Sequence, residues 1–396
     1  MKDITEVSFK NKKVLIRVDF NVPLDRFFNI TDDSRMIAAL PTIKTVISKG
    51  GMAIIMSHLG RPKNGFEEKY SLKHTVNHLK KLLGCSISFS SDCIGENTIK
   101  DVSKMNNGDV LLLENLRFYK EEQRGDEEFA KKLAGLADIY INDAFGTAHR
   151  NHASTAVIAK FFANHKYPGL LLKKEITALS KVLTAPKKPF TAIIGGAKIS
   201  GKIDVITALF KKVDNLIIGG GMAYTFIKAS GGNVGNSLVE KEKLKLAKSL
   251  MKQAQDMGVN FLLPIDSVNA SSFSNNAKIN VSNIYSIDPQ FMGLDIGEKS
   301  INNFSKTIKN SKTIIWNGPM GVFEMEKFEN GTKKIGEMIS LSTNNGAFSL
   351  IGGGDSVAAV KKFNLEKSMS YISTGGGAML EYLEGKSLPG IIAIQH

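Results

Sequence analysis

Residues 350–356, Leu-Ile-Gly-Gly-Gly-Asp-Ser, set three glycines, a carboxylate and a hydroxyl between the apolar run 347–351 and an Ala/Val/Lys stretch of helical composition. Glycines at a strand-to-helix turn let the backbone approach a bulky anion, and Ser356 with the amides after it offers a helix N-terminus to phosphate. Asp355 would repel that phosphate unless a cation lies between them. The economical chemistry is a magnesium nucleotide, with glycine amides on the phosphates and Asp355 on the metal. A plain βα turn capped by Asp or Ser is the competing reading of this motif taken alone.

The design recurs in AIIGGAK (192–198), LIIGGGM (216–222) and YISTGGGA (371–378), each a short β-rich run, then paired or tripled glycine, then helix formers. Four such turns imply parallel strands whose C-terminal ends open onto one rim, where open α/β sheets bind ligands. The stretch 196–202 also spells G-x-x-x-x-G-K, but Ile203 follows where a P-loop needs Ser or Thr for magnesium, so a P-loop is rejected. Its two lysines remain: Lys198 and Lys202 are four apart near a predicted helix start and suit phosphate charge. A dinucleotide site is poorly supported, because Gly352-x-Gly354 lacks a third Gly or Ala and Asp355 would face pyrophosphate. Asp19, His58 and Asp143 could suggest a hydrolytic triad, but no G-x-S-x-G elbow supplies a nucleophile.

Of 52 basic residues only seven are arginines, at 17, 26, 35, 61, 117, 124 and 150, all in the first 150 residues. A chain that otherwise uses lysine has reason for arginine where a planar fork matters, which is bidentate recognition of carboxylate or phosphate. Arg26 and Arg124 lie in turn-like, charged contexts, and surface pairing is the bland reading for them.

The elements that must position these groups follow from the pattern. Strands are predicted at 14–20, 52–56, 110–113 and 139–141, each delivering polar or cationic groups just past its C-terminal end. A helix over about 35–49 follows 31–34, with Asp32 or Ser34 as candidate caps. Pro168 and Gly169 break the chain before 170–184, where Leu172, Ile176, Leu179 and Leu183 recur at helical spacing, and Pro186 and Pro189 follow. This reads as one helix linking two domains. The Asn- and Ser-rich stretch 269–283 reads as a loop or edge hairpin, and the tail 388–394 is too apolar to dangle.

Composition fits that picture. A length of 396 suits two domains, and 42% hydrophobic with 23% charged residues is ordinary for a soluble globular chain. No run approaches the roughly 18–20 apolar residues of a membrane helix. Residues 1–6 carry acids and no apolar core of a secretory signal, and Cys85 and Cys93 form no metal spacing, so a cytoplasmic location is expected. The formal charge of +14 comes mostly from lysines scattered along helices such as 240–252, and no nucleic-acid motif accompanies them. A cationic rim and a Gly-rich, magnesium-ready rim are the layout of phosphoryl transfer between a nucleotide and a small acidic partner. If the acceptor is a carboxylate it needs no general base, and catalysis rests on positioning and charge.

Over essentially its full length the chain resembles the phosphoglycerate kinase family. The resemblance rests on RVDFNVP (17–23), HLGRP (58–62), LLENLRF (112–118), NDAFGTAHR (142–150), GGAK (195–198), WNGPMGVFE (316–324), GGGDS (352–356) and STGGGA (373–378). It implies two Rossmann-like α/β domains, each a mostly parallel sheet flanked by helices, joined by the linker helix with a cleft between them. The implied division is an N-terminal 3-phosphoglycerate domain (1–168), a linker (169–185) and a C-terminal nucleotide domain (186–384), with the tail 385–396 packing back on the first. The implied reaction passes phosphate between 1,3-bisphosphoglycerate and ADP, giving 3-phosphoglycerate and ATP with Mg2+ as cofactor, in a monomer with no nucleic-acid or membrane partner.

Residue by residue, the resemblance implies that Asp19 and Asn21 hold the hydroxyl and carboxylate region of the glycerate. His58, Gly60, Arg61, Arg117 and Arg150 belong to its phosphate end. Arg35 and Lys198 stabilise the transferring group, to which Gly375 and Gly376 offer amides, and Lys202 meets the nucleotide phosphates. Gly196, Ala197, Gly220, Asn317, Gly353, Gly354 and Ser356 complete the nucleotide contacts. Gly293, Leu294, Pro319 and Val322 form an adenine pocket, Glu324 takes the ribose, and Asp355 the magnesium. Two positions depart from the family. Gly201 stands where an Asp is usual before the second lysine, and Glu298 stands in the usual Asp-Ile-Gly-Pro-Lys. A nucleotide-dependent dehydrogenase and a nonenzymatic anion or nucleic-acid binder are the alternatives. The first would show reduced-cofactor binding; the second would keep its activity without Arg35 and Asp355.

Overall fold

The structure, a computed structural model, describes residues 3–395; Met1, Lys2 and His396, which the expected signal and domain readings include, lie outside them. The chain forms two compact units, one running up to Thr177 and resuming at Ser387, the other Ala178–Lys386. The division falls between Thr177 and Ala178, inside helix Leu170–Thr184. Its bounds are those the sequence predicts, but its fully buried face is Leu172, Leu179 and Val182 rather than Ile176 and Leu183.

The first unit is built on six parallel strands: β1 (Lys13–Arg17), β2 (Met52–Met56), β3 (Ile87–Ser90), β4 (Val110–Leu113), β5 (Ile139–Asn142) and β6 (Lys166–Pro168). They lie in the order β3-β4-β2-β1-β5-β6. The central strands are apolar on both faces because crossover helices cover both. One core packs Val14, Ile16, Ile55, Leu112 and Ile141 against Phe9, Met36 and Ile43. Chain order reverses about β1, which has β2 on one side and β5 on the other. The polar segments after β1, β2, β4 and β5 therefore share the sheet's C-terminal edge.

Strand β1 ends at Arg17, short of the predicted 14–20, because Val18 onward turns away to place Asp19 and Asn21. The following helix is Ser34–Ser48, with Asp33 rather than Asp32 or Ser34 at its N-cap position. The Asp33 carboxylate binds His78 Nε2 at 2.8 Å, while Asp32 Oδ1 accepts from Ser34 N at 2.9 Å.

The second unit has a six-stranded parallel sheet and two small ones. Its strands are β7 (Phe190–Ile194), β8 (Asn215–Ile218), β9 (Asn233–Val234), β10 (Asn260–Leu262), β11 (Asp266–Ala270), β12 (Ile279–Asn283), β13 (Ser286–Ile287), β14 (Met292–Ile296), β15 (Thr313–Asn317), β16 (Phe348–Ile351) and β17 (Tyr371–Ile372). The main sheet runs β10-β8-β7-β15-β16-β17, so all four Gly turns leave the same edge of one parallel sheet. Fully buried Trp316 on β15 centres its core with Ile193, Phe304 and Ile335. The stretch 269–283 is a hairpin: β11 pairs antiparallel with β12 and with β14.

The tail returns to the first unit. Gly390 N donates to Ala148 O at 2.9 Å, its carbonyl accepts from buried Asn142 Nδ2 at 3.3 Å, and Leu388, Ile391 and Ile394 are buried.

Candidate functional site

In the first unit the site grows from a buried arginine that the sequence reading did not assign. Arg17 sits at the end of β1, where its Nε donates to Ser154 Oγ at 2.9 Å and its Nη1 to Val18 O. Ser154 Oγ donates onward to Glu122 Oε1 at 2.7 Å, so a buried carboxylate answers the guanidinium through a hydroxyl. Arg17 Nη2 lies 3.2 Å from His58 Nδ1. A guanidinium can only donate, so Nδ1 accepts and the His58 proton sits on Nε2. Burial, then Arg17, Arg117, Arg150 and Arg35, hold the His58 pKa well below its ordinary 6.5.

Around that pair the predicted residues converge. Arg35 Nη1 donates to Asp19 Oδ2 and to Asn21 O, both at 3.1 Å. Asn21 Oδ1 accepts from Gly60 N at 2.8 Å, and Gly60 O accepts from Arg117 Nη1 at 2.7 Å, so one glycine ties the first strand's loop to the turn after β4. Gly60 has a φ of +62, and a Cβ there would lie 2.3 Å from the Tyr70 ring. Arg117 is buried and pushed down to about 10 by burial, then by Arg150 and Arg17. Its Nε has no hydrogen-bond acceptor among the described residues, so this cluster carries donor capacity that the protein leaves unspent. Arg150 is half-buried; Arg61 is exposed. Arg26 and Arg124 stay at the surface, the former over the Phe27 ring at 4.6 Å, as their bland reading implied.

In the second unit the four Gly turns divide their labour. The amides of Gly195, Gly196, Gly219, Gly220 and Gly352 donate to carbonyls of Asn317, Pro319, Ile194, Met320 and Trp316. Those turns stitch the strand ends together, and Gly196 and Gly220, expected as nucleotide contacts, have no amide left to give. The turn after β16 differs. Helix Gly354–Lys362 makes its first intrahelical bond from Val357 N to Gly353 O, leaving the amides of 353–356 without partners among the described residues. With Ala197, Lys198, Lys202, Asn317 and Asp355 they line a pocket of about 180 Å³.

Three expected contacts are engaged internally. Asn317 accepts from Lys202 Nζ at Oδ1 and donates from Nδ2 to Gly352 O at 2.7 Å, so in the pocket it orients the lysine. Ser356 is buried, and its Oγ accepts from Gly318 N at 2.6 Å, locking the β15 turn to the helix start. Gly375 N donates to Ser373 Oγ at 3.2 Å, so of the two expected amides only that of Gly376 stands without a partner among the described residues. Burial lowers the Lys202 pKa, with Asp355 pulling the other way; Lys198 and Asp355 are exposed.

The adenine candidates form one ledge. Val322 N donates to Leu294 O at 2.9 Å, both pack with Ala270 and Phe328, and Gly293 N donates to Ser237 Oγ at 2.9 Å. Pro319 is buried behind Gly196, and Glu324 is exposed. Beneath the ledge is Asp295, another residue without a sequence signal of its own. Its carboxylate accepts from Ile296 N at 2.9 Å and Gly331 N at 2.7 Å, and burial raises it to about 8.

The sequence profile of the family described as phosphoglycerate kinase matches residues 4–386. The chain belongs to the phosphoglycerate kinase family. This kinase is a phosphotransferase whose acceptor is a carboxyl group, and its relatives are similar along their whole length. It is 52% identical to a phosphoglycerate kinase of Porphyromonas gingivalis, covering 99% of each chain. It is 53% identical to the cytosolic phosphoglycerate kinase 3 of Arabidopsis thaliana, covering 99% of this chain and 97% of that one. Among solved structures, phosphoglycerate kinase from Coxiella burnetii matches with a TM-score of 0.89 at 41% identity, covering 99% and 98%. The Pyrococcus horikoshii enzyme matches at 0.84 and 30%, covering 100% and 98%.

Proposed function

We propose that the chain moves a phosphoryl group reversibly between 1,3-bisphosphoglycerate and ADP, giving 3-phosphoglycerate and ATP, by direct in-line transfer. The observation that carries this reading is the cluster of Arg17, Arg35, Arg117 and Arg150 around a neutral His58, with Asp19 and Glu122 as the facing carboxylates. Arg17 and Arg117 are buried and Arg35 and Arg150 half-buried, and a cluster of cations in that setting, with the Arg117 Nε donor left over, calls for an anion. The phosphate end of the glycerate is assigned to His58, Arg61, Arg117 and Arg150, and its hydroxyl and carboxylate region to Asp19 and Asn21.

Arg35, steered by Asp19 and Asn21, meets the transferring group with Lys198 and the Gly376 amide. Lys202, oriented by Asn317, and the amides of 353–356 take the nucleotide phosphates; Gly293, Leu294, Pro319 and Val322 take the base, and Glu324 the ribose. The acceptor carboxylate is ionised already, so no residue need remove a proton, and the work is positioning and charge stabilisation.

Asp355 is the residue assigned to magnesium. No group of three or more His, Cys, Asp or Glu among the described residues could hold an ion by itself. One exposed carboxylate at the mouth of a phosphate pocket instead fits an ion that arrives on the nucleotide, with phosphates and water filling its shell. When bound, magnesium neutralises charge on the phosphate oxygens.

A cytoplasmic monomer is part of the proposal. No helix among the described residues is long and apolar enough to cross a membrane, and relatives from Arabidopsis and tobacco are named cytosolic. ATP and 3-phosphoglycerate, incubated with the protein and hydroxylamine as an acyl-phosphate trap, should yield hydroxamate. No product from folded protein would overturn the reading.

A further inference from the structure

The loop between β7 and helix Ile203–Leu209 carries both Lys198 and Lys202, yet neither sheet nor helix fixes its path. It is held from outside. Glu240 Oε2 accepts from Ile199 N at 2.6 Å and from Ser200 N at 3.2 Å, and Glu240 is only 9% exposed. Glu240 is itself pinned on both sides. Its N–H donates to Thr225 Oγ1 at 3.1 Å, and its carbonyl accepts from Lys243 N at 2.9 Å where the chain enters helix Leu244–Asp256. Thr225 lies in helix Met222–Ala229, whose Met222 N donates to Gly196 O at 3.0 Å, at the start of the same loop. Turn, helix, carboxylate and loop thus close a ring.

Within the loop Ile199 is fully buried, Lys202 N donates to Ile199 O at 2.8 Å and Asn317 holds the Lys202 ammonium, but no other side chain binds the amides of Ile199 and Ser200. At Gly201 a Cβ would meet no atom within 4 Å, so no packing restrains the approach to Lys202 from inside the loop. The carboxylate also withdraws two amides from any phosphate, which leaves the charge of a nucleotide to the lysines and to the turn at 353–356. We propose that Glu240 is a positioning residue of the transfer reaction: it touches no substrate, and by holding the two amides between Lys198 and Lys202 it sets where both lysines stand. The proposal rests on the phosphoryl-transfer reading given above.

Three variants separate reach from charge. Glu240→Asp keeps the charge but is a methylene short of the amides; Glu240→Gln keeps a carbonyl acceptor at full reach without charge; Glu240→Ala keeps neither. Glu240→Asp and Glu240→Ala should lose kcat by about tenfold or more, since misplacing a reacting group by about an ångström costs up to about 10²-fold. Their KM for 3-phosphoglycerate should stay unchanged, and Glu240→Gln should recover most of the rate. Amide hydrogen exchange at Ile199 and Ser200 should quicken in the Asp and Ala variants and not in Gln.

An active Asp variant beside an inactive Gln variant would mean that charge on Lys198, not the hydrogen bonds, is what matters, and would overturn the proposal. So would a lower nucleotide KM in Glu240→Ala, which would make the carboxylate a competitor of phosphate for those amides. If Ala fails to fold, the Asp–Gln pair decides alone. Should wild-type protein fail to phosphorylate 3-phosphoglycerate, the functional reading falls, while amide exchange and ATP titration of the variants still report on the clamp and the lysines.

Discussion

His58 stands where an imidazole cannot keep a second proton: it is buried, and Arg17 fills the acceptor side of its ring. In the proposed role it would therefore offer a ligand a neutral Nε2–H donor. Nitrogen-15 spectra should show that neutral tautomer persisting below the usual histidine range; an imidazolium signature at neutral pH would refute it. The same shift bears on stability. With the folded pKa depressed, the unfolded chain binds more protons below 6.5, so the contribution of His58 is complete above that pH and is lost as pH falls. His152, pushed down to about 3 by burial and then Arg17, has the same sign, whereas Asp143, raised by burial to about 6, stabilises at low pH and loses its share as pH rises through that value. Arg35 gives a kinetic test. Its Nη1 is committed to Asp19 and Asn21, so in the proposed role the rest of its fork is what reaches the transferring group. Lysine has one ammonium for both tasks, and Arg35→Lys should lower kcat by roughly 10²–10³, the usual cost of one transition-state donor. A change confined to KM would remove Arg35 from the transferring group.

At the scale of elements, the turn after β16 is the least forgiving. Gly353 has a φ of +92, and a Cβ there would lie 2.8 Å from Asn317 Nδ2, the amide that orients Lys202. Gly353→Ala should cost about 1–3 kcal/mol of stability; denaturant melts measure that, and kcat/KM for ATP should fall with it. Glu298 is the opposite case. It is the first residue of helix Glu298–Asn310, after an extended Gly297 (φ −86, ψ 178), a geometry proline accepts. Glu298→Pro should stabilise by up to about 1 kcal/mol, raising the Tm by about 2–4 °C in calorimetry.

These elements also show how far the sequence was legible. Strands β2 and β4, the helix Leu170–Thr184 and the shared edge of the four Gly turns could be read because each is a local pattern of apolar residues and breakers. So could the arginine cluster, from where the chain chose Arg over Lys. The roles of Arg17's partners, of Glu240 and of Asp295 were hidden because the groups they bind lie tens of residues away, as Ser154 does from Arg17, and a buried polar residue has no periodicity. The internal hydrogen bonds of Asn317, Ser356 and Gly375 could not be read either, because a motif shows what such residues are near and not which way each hydrogen bond points.

For the whole molecule, the two half-sites lie on separate units, and in-line transfer requires donor and acceptor oxygens to come within a few ångströms. Each ligand is assigned mainly to one unit, so neither alone has the differential contacts to drive full closure. Solution scattering should show a smaller radius of gyration only with 3-phosphoglycerate and magnesium nucleotide together; an unchanged radius in an active ternary complex would sink the idea. The return of the tail has another consequence, for biosynthesis. The second unit is one uninterrupted segment, Ala178–Lys386, whereas the first cannot be completed until Leu388, Gly390 and Ile391 have been made. The half made first is thus finished last. Without those residues Asn142 and Ala148, close to Arg150 in the chain, lose their hydrogen bonds to Gly390, so a chain clipped near Ser387 should keep an intact second unit while its first unit, short of that cover, is the part that proteases open.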